Sequence, residues 1–441
     1  MSIRFATGPP GAGKTHFCVA EARRLAAEQP DGPPIILLVP EQASYQTEKA
    51  LLDNTLPGTV RARVFSFARL GQWVFSQRPA SPLPRLGDVH RQVLMTGIVA
   101  RHNRGPEGDS SLFKVRSIER SVAEMIAELK QFRVSPGDLR DLADDVASTN
   151  AGLARKLRDL ALAAREYNTA IHQRFEDPDD TLASLRDTIA SMEELQGARV
   201  YVDGFYGFTP VEMEVLRGLV RRAAQVTFAL TLDAGRWEDY ERTGRPDEHS
   251  RTFPSEETLD ALLGMAADEG IRVEKPVRLP SDNSLPRFCS PALAHLAESF
   301  LLGRNDAAYS GDEDGLTLEV APDRREEARR AVEQLLAWRD AHHWNWGDMA
   351  IVARDLEAYA QGLEASLKAL RIPYFLDRHE PLDTHPAIQG TLAALEAVLL
   401  GFRTEPILEF AKSGLHDFDA DEVARLETYT LHMQPAPGRW R

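Results

Sequence analysis

The first 80 residues alternate between short apolar runs and amphipathic helical spacing. Residues 3–6 (IRFA) are short and mostly apolar, residues 16–28 are alanine-rich with helical spacing, and residues 35–39 (IILLV) are apolar throughout. A continuous apolar run that follows a helix is typical of a buried parallel strand. Residues 60–67 (VRARVFSF) alternate basic and apolar positions, which indicates a further strand. The opening segment therefore predicts an α/β domain.

A long helical pattern interrupts this domain. Apolar positions spaced by three and four run through residues 118–132 and again through residues 153–167. Strand patterns then return at residues 198–205 (ARVYVDGF) and 224–233 (AQVTFALTLD), on either side of an amphipathic helix. These two strands complete the sheet that begins at residue 3, so the helical block is predicted to be an insertion.

A second α/β pattern begins near residue 316. Strand-like and helix-like segments alternate in the order 316–321 (LTLEVA), 324–341, 348–354 (DMAIVAR), 356–370 and 372–378 (IPYFLDR). This order predicts a second parallel sheet. The predicted domains are a first α/β domain in two parts (1–86 and 198–235), a helical insertion (87–197), a connector (236–315), a partial second α/β domain (316–384) and a helical extension (385–441).

Composition limits the classes of partner. The chain of 441 residues has a formal net charge of −15, so no global basic field attracts nucleic acid, and any DNA contact must be local. Its two cysteines, Cys18 and Cys289, are far apart in sequence, which indicates a reducing compartment without a disulfide framework. The sequence has neither a membrane-spanning apolar run nor a signal-peptide pattern. We therefore expect a cytoplasmic protein with no membrane partner.

The stretch TGPPGAGKT, at residues 7–15, carries the clearest chemistry. It fits the phosphate-loop pattern G-x-x-x-x-G-K-[ST] and lies between a predicted strand and a predicted helix. The loop residues predicted to bind the phosphates of ATP are Gly8, Gly11, Ala12, Gly13, Lys14 and Thr15. In such loops backbone N–H groups surround the phosphates, the lysine reaches the terminal phosphates, and the Thr15 hydroxyl is a ligand for Mg²⁺. The alternative is a glycine-rich turn with a surface lysine.

Asp203 is the candidate second ligand for Mg²⁺. It ends the apolar strand VYVD, where phosphate-loop proteins carry such a carboxylate. The next residue is Gly204, so a glutamate that polarises the attacking water is missing from its usual place, although Glu212 and Glu214 could replace it. We therefore expect weak hydrolysis. The alternative for Asp203 is a turn-forming Asp-Gly pair.

Two segments are candidates for contact with single-stranded DNA. Pro40, Gln42 and Tyr45 follow the second strand and offer a rigid turn, an amide and a stacking ring. The segment RARVFSFARL combines basic and aromatic side chains that suit backbone contact and stacking, namely Arg61, Arg63, Phe65, Phe67 and Arg69. The alternatives are a capped helix start with a packed tyrosine and aromatic residues of the core. Arg354, at the end of AIVAR, could reach a phosphate from the second unit.

Taken in order, these segments resemble the N-terminal half of AddB, the B subunit of AddAB-type bacterial ATP-dependent helicase-nucleases. The matching stretches are TGPPGAGKT, LVPEQASYQTEKALL, VFSFARL, YVDGFYGFTPVE, IPYFLDRHEPLDTHP and LETYTLHMQPAPGRW. The resemblance implies two RecA-like, superfamily-one helicase-like domains of the P-loop NTPase class, with a helical insertion in the first and a helical C-terminal extension.

The resemblance also implies roles for particular residues. Asp203 falls at the Mg²⁺ motif, and Arg354 resembles the phosphate-contacting arginine of the second domain. Pro40–Tyr45 and Phe65–Phe67, with Ser66, fall where helicase strands meet single-stranded DNA. In that family the partner A subunit is the motor, and the complex processes double-strand breaks in DNA repair by recombination.

Three departures from the family pattern narrow these expectations. The upstream glutamine motif that reads adenine is absent, the later helicase motifs are absent, and so is the nuclease domain with its four-cysteine iron–sulfur cluster. Two unclustered cysteines cannot form that cluster. We therefore expect a fragment whose functions are ATP binding and DNA contact. The alternatives are a non-catalytic DNA-recognition scaffold with a vestigial loop and an autonomous P-loop ATPase or helicase.

Overall fold

The computed structural model divides the chain into two compact units, Met1–Leu316 and Thr317–Arg441. The structure describes residues 1–52, 56–77, 83–103, 113, 118–232, 234–280, 287–288, 290–297, 299, 308–311, 315–378, 382 and 385–433. Cys289, the predicted boundary at residue 384 and the final stretch 434–441 lie outside the described residues. Within the described part, no helix is long and apolar enough to cross a lipid bilayer.

One parallel sheet organises the first unit, and this confirms the predicted α/β class. Its strands are β1 (Ser2–Gly8), β2 (Ile35–Leu38), β3 (Ala62–Phe65), β4 (Arg199–Val202), β5 (Gln225–Thr231), β6 (Arg272–Val273) and β7 (Val277–Arg278). Their order is β3-β2-β4-β5-β1-β6, with β7 also paired to β1, and every pairing is parallel. All four side chains of β2 are buried, as its unbroken apolar sequence predicts.

Helices cover both faces of this sheet. The helices of the first unit are α1 (Lys14–Glu28), α2 (Ser44–Leu51), α3 (Phe67–Ser76), α4 (Asp88–Asn103), α5 (Ile118–Gln131), α6 (Pro136–Val146), α7 (Ala151–Ile171), α8 (Pro178–Ser191), α9 (Pro210–Val220), α10 (Ala234–Thr243), α11 (Phe253–Asp268) and α12 (Pro291–Leu296). One core joins the sheet to α1 and α2, and a larger core joins it to α3, α8, α9 and α11. The sheet is therefore the middle layer of three.

The helices α4 to α7 form a separate bundle with its own core. The chain enters and leaves this bundle at one point, where the Leu86 N–H donates to the Glu176 carbonyl (2.9 Å) and the Glu176 N–H donates to the Pro84 carbonyl (3.0 Å). The predicted helical block of 87–197 also includes α8, but Leu185 and Ile189 of α8 belong to the core of the sheet. The bundle is thus attached to the sheet layer through a paired entrance and exit.

A buried carboxylate links three segments of the bundle. The side chain of Asp177 is 1% exposed and accepts from Lys130 Nζ (2.8 Å), Arg91 Nη2 (3.3 Å) and the hydroxyl of Tyr167 (3.3 Å). A buried charge costs free energy unless it is paired and hydrogen-bonded, and here two cations from α4 and α5 and one hydroxyl from α7 meet that need. Asp177 therefore fixes how these helices pack at the point where the chain leaves the bundle.

The second unit is helical in its described part. Its helices are α13 (Arg324–His342), α14 (Glu357–Ala369), α15 (Pro386–Leu399), α16 (Thr404–Lys412) and α17 (Ala420–Met433). A small core joins α13 to α14 around Val332 and Leu363.

The predicted second sheet is not formed by the described residues of this unit. The segments 316–321, 349–353 and 372–378 contain no strand. Leu318, Val352 and Phe375 are about nine-tenths exposed, at 93%, 91% and 88%. A parallel sheet needs a covering layer on both faces, and these apolar side chains have none within the described part of the unit.

Replacing Asp177 with alanine should strongly destabilise the first unit. The change leaves Lys130 and Arg91 largely buried without their carboxylate, a loss of about 3–5 kcal/mol in the free energy of unfolding. Urea denaturation followed by circular dichroism measures this difference. Glu124→Ala is the control, because it breaks an exposed ion pair with Arg120 within one helix and should cost less than about 0.5 kcal/mol. Equal stability of the two variants would contradict the assignment of Asp177 as the structural centre of the bundle.

Candidate nucleotide-binding site

The strand–loop–helix placement predicted for residues 7–15 is present. β1 ends at Gly8 and α1 begins at Lys14. Between them Gly11 and Gly13 have φ of 83° and 87°, the left-handed region that side chains with a Cβ disfavour. The Ala12 N–H donates to the Pro9 carbonyl (3.2 Å), which tightens the turn. The loop therefore carries glycine at the positions where its backbone conformation requires it.

A cleft of about 1110 Å³ opens at the carboxyl edge of the sheet, above this loop. Its lining includes the loop residues Gly11, Ala12, Gly13, Lys14 and Thr15, together with Asp203 from the end of β4 and Thr231 from the end of β5. The carboxyl edge of a parallel sheet is where α/β proteins bind ligands. The positive end of α1 also points into this cleft, which favours an anion. The structure thus brings the predicted phosphate and Mg²⁺ residues together.

Lys14 folds back onto its own loop. Its Nζ donates to the carbonyls of Gly8 (2.8 Å) and Pro9 (2.9 Å). Burial lowers the pKa of Lys14 to about 8, although the nearby Asp203 carboxylate favours the charged form. The ammonium therefore keeps its charge at neutral pH and loses it at mildly alkaline pH. Its N–H groups donate to backbone carbonyl oxygens, and the oxygens of a bound phosphate would replace these carbonyls as acceptors.

Asp203 lies directly below the loop. Its N–H donates to the Leu38 carbonyl (3.0 Å), and the residue is 8% exposed. Burial raises the pKa of the Asp203 carboxyl, against a hydrogen bond from the Thr15 hydroxyl and the charge of Lys14, which both lower it. The carboxylate and the Thr15 hydroxyl are adjacent hard oxygen donors, the kind of ligand that Mg²⁺ takes in nucleotide sites. These two residues fit the predicted ion.

The glutamates considered as replacements for the missing catalytic acid have structural contacts. Glu212 closes a capping box with Thr209 at the start of α9, and Glu214 pairs with Arg186 at 2.8 Å. Among the described residues that line the cleft, the carboxylates are Asp203 and Glu21. Glu21 is paired with Arg4. Asp203 is the predicted Mg²⁺ ligand, so neither carboxylate of the described lining replaces the missing glutamate.

Two of the three residues predicted to contact DNA in the loop after β2 are accessible to solvent. Gln42 is exposed and Tyr45 is 75% exposed, so the alternative of a packed tyrosine is wrong. Pro40 is half-buried and packs beside Gly204, where a Cβ would lie 3.1 Å from the Pro40 Cδ. The loop after β2 therefore borders the residue that follows Asp203.

The aromatic segment after β3 belongs to the core instead. Phe65 and Phe67 are 8% and 6% exposed, and their rings pack on Trp73 and Phe205 at centroid distances of 5.5 and 5.4 Å. Ser66 is buried, caps α3 by accepting from the Arg69 N–H (3.3 Å) and donates to Glu41.

The arginines of this segment are also engaged within the unit. Arg61 donates to the Pro33 carbonyl (2.6 Å), Arg63 stacks on Trp73, and Arg69 pairs with Glu48 at 3.0 Å. The core alternative for this segment fits the structure, because neither ring offers a free stacking face. Arg354 is exposed in the second unit, and its phosphate contact stays a prediction.

Sequence reasoning missed the residues that reach the loop from beyond β7. Leu279, Pro280 and Arg287 line the cleft, and a Cβ on Gly11 would lie 2.8 Å from the Phe288 ring. β7 has only two residues, so no periodic pattern indicates that it pairs with β1. A long-range pairing of this kind leaves no local sequence signal.

Gly11→Ala should destabilise the first unit even without a ligand. The new Cβ would meet the Phe288 ring at 2.8 Å, and the left-handed backbone costs a non-glycine residue about 1–2 kcal/mol. Thermal unfolding of the ligand-free protein measures the loss. Gly264→Ala is the matched control, because Gly264 lies exposed in α11 with open space around it and alanine favours helix. A Gly11→Ala protein as stable as Gly264→Ala would refute the packing of Phe288 on the loop.

Known proteins align with this chain over its whole length. The family model described as "ADDB, N-terminal" matches residues 5–297. The chain is 37% identical to the B subunit of the ATP-dependent helicase/deoxyribonuclease of Moorella thermoacetica and 33% identical to that of Desulforudis audaxviator, over 100% of its length in both cases. It spans 38% and 37% of these two relatives. The chain therefore belongs to the AddB family and corresponds to its N-terminal part.

Proposed function

We propose that this chain is the ATP-binding, helicase-like portion of an AddB-type subunit that acts with a partner motor subunit of the AddA type in DNA double-strand-break repair. The observation that carries the proposal is the meeting of Lys14, Thr15 and Asp203 in one cleft at the carboxyl edge of the sheet. Relatives that match the whole chain are named as subunits of an ATP-dependent helicase/deoxyribonuclease, which supports the same class of function.

In this proposal the loop binds the phosphates of ATP. The N–H groups from Gly11 to Thr15 and the start of α1 surround the inner phosphates, and Lys14 moves from its backbone carbonyls to the outer phosphates. Thr15 and Asp203 hold Mg²⁺, which neutralises phosphate charge when it is bound. The fold that we propose around this site is RecA-like, and a phosphate contact by Arg354 stays a prediction.

In this proposal ATP acts mainly by binding, which orders the loop and the sheet edge, and its hydrolysis is slow. Gly204 occupies the place of the water-polarising glutamate, and Glu212, Glu214 and Glu21 are engaged elsewhere. A bound ligand stabilises the conformation that binds it, so ATP can favour one arrangement of loop and sheet edge without turnover. We therefore propose binding with weak hydrolysis.

Single-stranded DNA is the proposed partner of the neighbouring loop. Gln42 and Tyr45 are exposed after β2, and a tyrosine ring with a free face can stack on a base. Stacking by Tyr45 replaces the stacking first expected of Phe65 and Phe67, whose rings are buried. Ser66 and Phe67 contribute the backbone at the start of α3.

A non-catalytic DNA-recognition scaffold is the second candidate function. The observation that favours it is Lys14, whose ammonium donors are already satisfied by the Gly8 and Pro9 carbonyls. If Lys14 never left these carbonyls, it could not bind a phosphate, and the loop would no longer bind nucleotide.

Removal of the Lys14 side chain should weaken ATP binding and so separate the two functions. The measurement is titration of the purified chain with a fluorescent ATP analogue and Mg²⁺. Lys14→Ala should lose at least about tenfold in affinity, as expected when a charged hydrogen bond is removed. Asp203→Asn should lose the dependence on Mg²⁺.

Lys49→Ala is the control for this titration, because it removes an exposed lysine from α2, and it should bind like the wild type. Failure of both the wild type and Lys14→Ala to bind ATP with Mg²⁺ would leave the scaffold as the function. DNA-stimulated hydrolysis at ordinary helicase rates would contradict the proposed weak turnover.

ATP affinity should fall as the pH rises through about 8. Lys14 is protonated below its pKa of about 8 and becomes neutral above it, so each further pH unit costs up to about tenfold in any contact that needs the ammonium. Titrations between pH 7 and pH 9 measure the slope. Lys14→Arg keeps its charge over this range and should bind with little pH dependence. Equal slopes for the two proteins would show that another group controls the titration.

A further inference from the structure

The chain beyond β7 reaches the phosphate loop from the other side of β1. β7 pairs with the end of β1, and the Leu279 N–H donates to the Thr7 carbonyl (2.7 Å). The Leu279 carbonyl oxygen lies 2.3 Å from where a Cβ on Gly8 would be. The described residues that come next in the chain after Pro280, Arg287 and Phe288, lie against Gly11. The contacts at Gly8 and at Gly11 therefore both come from described residues that follow β7 in the chain.

Arg287 is the notable member of this stretch. It lines the same cleft as Lys14, Thr15 and Asp203, and its Cβ is 3.2 Å from the position of a Cβ on Gly11. The residue is exposed, and it forms no hydrogen bond or ion pair with any residue that the structure describes. The side chain of Arg287 therefore starts beside the loop and has no charge partner among the described residues.

The other arginine of the described cleft lining differs in this respect. Arg24, toward the end of α1, donates to both carboxylate oxygens of Glu28 at 2.8 and 2.9 Å. Its charge is thus matched by a neighbour on the same helix. Arg287 is the arginine of the described lining whose charge has no such match.

The proposed nucleotide complex has a net negative charge that the Arg287 cation would offset. MgATP is a net anion, Lys14 supplies one positive charge, and Asp203 adds a negative one. Backbone N–H groups and the start of α1 serve the inner phosphates, and Lys14 is the side chain of the described lining that this proposal already places at the outer end. A planar guanidinium suits phosphate oxygens better than any other side chain, because its donors can bind two of them at once.

We propose that Arg287 binds the terminal phosphate of ATP, as an arginine supplied in cis by the chain that follows β7. This inference rests on the proposed function and deepens it, since it makes the site selective for the triphosphate. Arg287 contacts the phosphate only when the terminal group is present, so ATP gains this contact and ADP does not.

The test compares ATP and ADP, each with Mg²⁺, by isothermal titration calorimetry on the whole chain. Arg287→Gln should weaken ATP binding by about ten- to a hundredfold, the loss expected for a hydrogen bond to a charged group. ADP affinity should stay within about twofold, and Arg287→Lys should recover part of the ATP affinity because it restores the charge without the fork. Arg24→Gln is the matched control and should leave both affinities unchanged.

Several outcomes would overturn the inference. An equal loss of ATP and ADP affinity in Arg287→Gln would indicate a contact to the inner phosphates or a damaged loop, and circular dichroism would distinguish these two. An equal effect of Arg24→Gln would indicate a general field of positive charge in the cleft. If the wild-type chain binds ADP and ATP equally well, the role of Arg287 is refuted but the proposed nucleotide binding stands. If the chain binds neither nucleotide, both the role of Arg287 and the proposed function are refuted.

Discussion

Parallel pairing at the centre of the sheet is the constraint on which the site depends. The register places Val202 of β4 beside Phe228 of β5, and Phe228 beside Phe5 of β1. Asp203 therefore follows at the level of Ala6, two residues before β1 ends at Gly8. Because β1 continues past this level, the loop and the start of α1 lie above Asp203. The carboxylate is buried for that reason and accepts from Thr15.

Two buried aspartates show how surroundings decide the role of a side chain. Asp177 meets two cations and a hydroxyl within the helical bundle, so its charge is satisfied and its contribution is to packing. Asp203 meets the Thr15 hydroxyl, the Gly204 N–H and one lysine, whose ammonium donates to backbone carbonyls instead. Its pKa is raised by burial, which is the condition under which a bound cation stabilises the charged form. The first carboxylate holds a fold together, and the second suits a ligand.

The prediction of the fold from sequence was good where the pattern is local and continuous. The run IILLV predicted a strand buried on both faces, and β2 is such a strand. The interrupted order of strands predicted that residues 198–205 rejoin the sheet begun at residue 3, and β4 pairs between β2 and β5. The same reasoning predicted strands in the second unit, where the described residues form none, because Leu318, Val352 and Phe375 have no covering layer. Burial depends on a neighbour, and an apolar run alone does not supply one.

For the candidate site, the sequence by itself determined the loop. The spacing of its glycines allows the left-handed backbone at Gly11 and Gly13, and the helix that follows directly fixes the positions of Lys14 and Thr15 at its start. It also indicated Asp203, because a strand end is visible in the pattern VYVDG. Only the tertiary structure decided that Phe65 and Phe67 are core, that Tyr45 is exposed, and that Arg287 and Phe288 meet the loop. Those facts arise from contacts between residues far apart in the chain, and such contacts follow from sheet register and helix packing, which no local spacing of residues encodes.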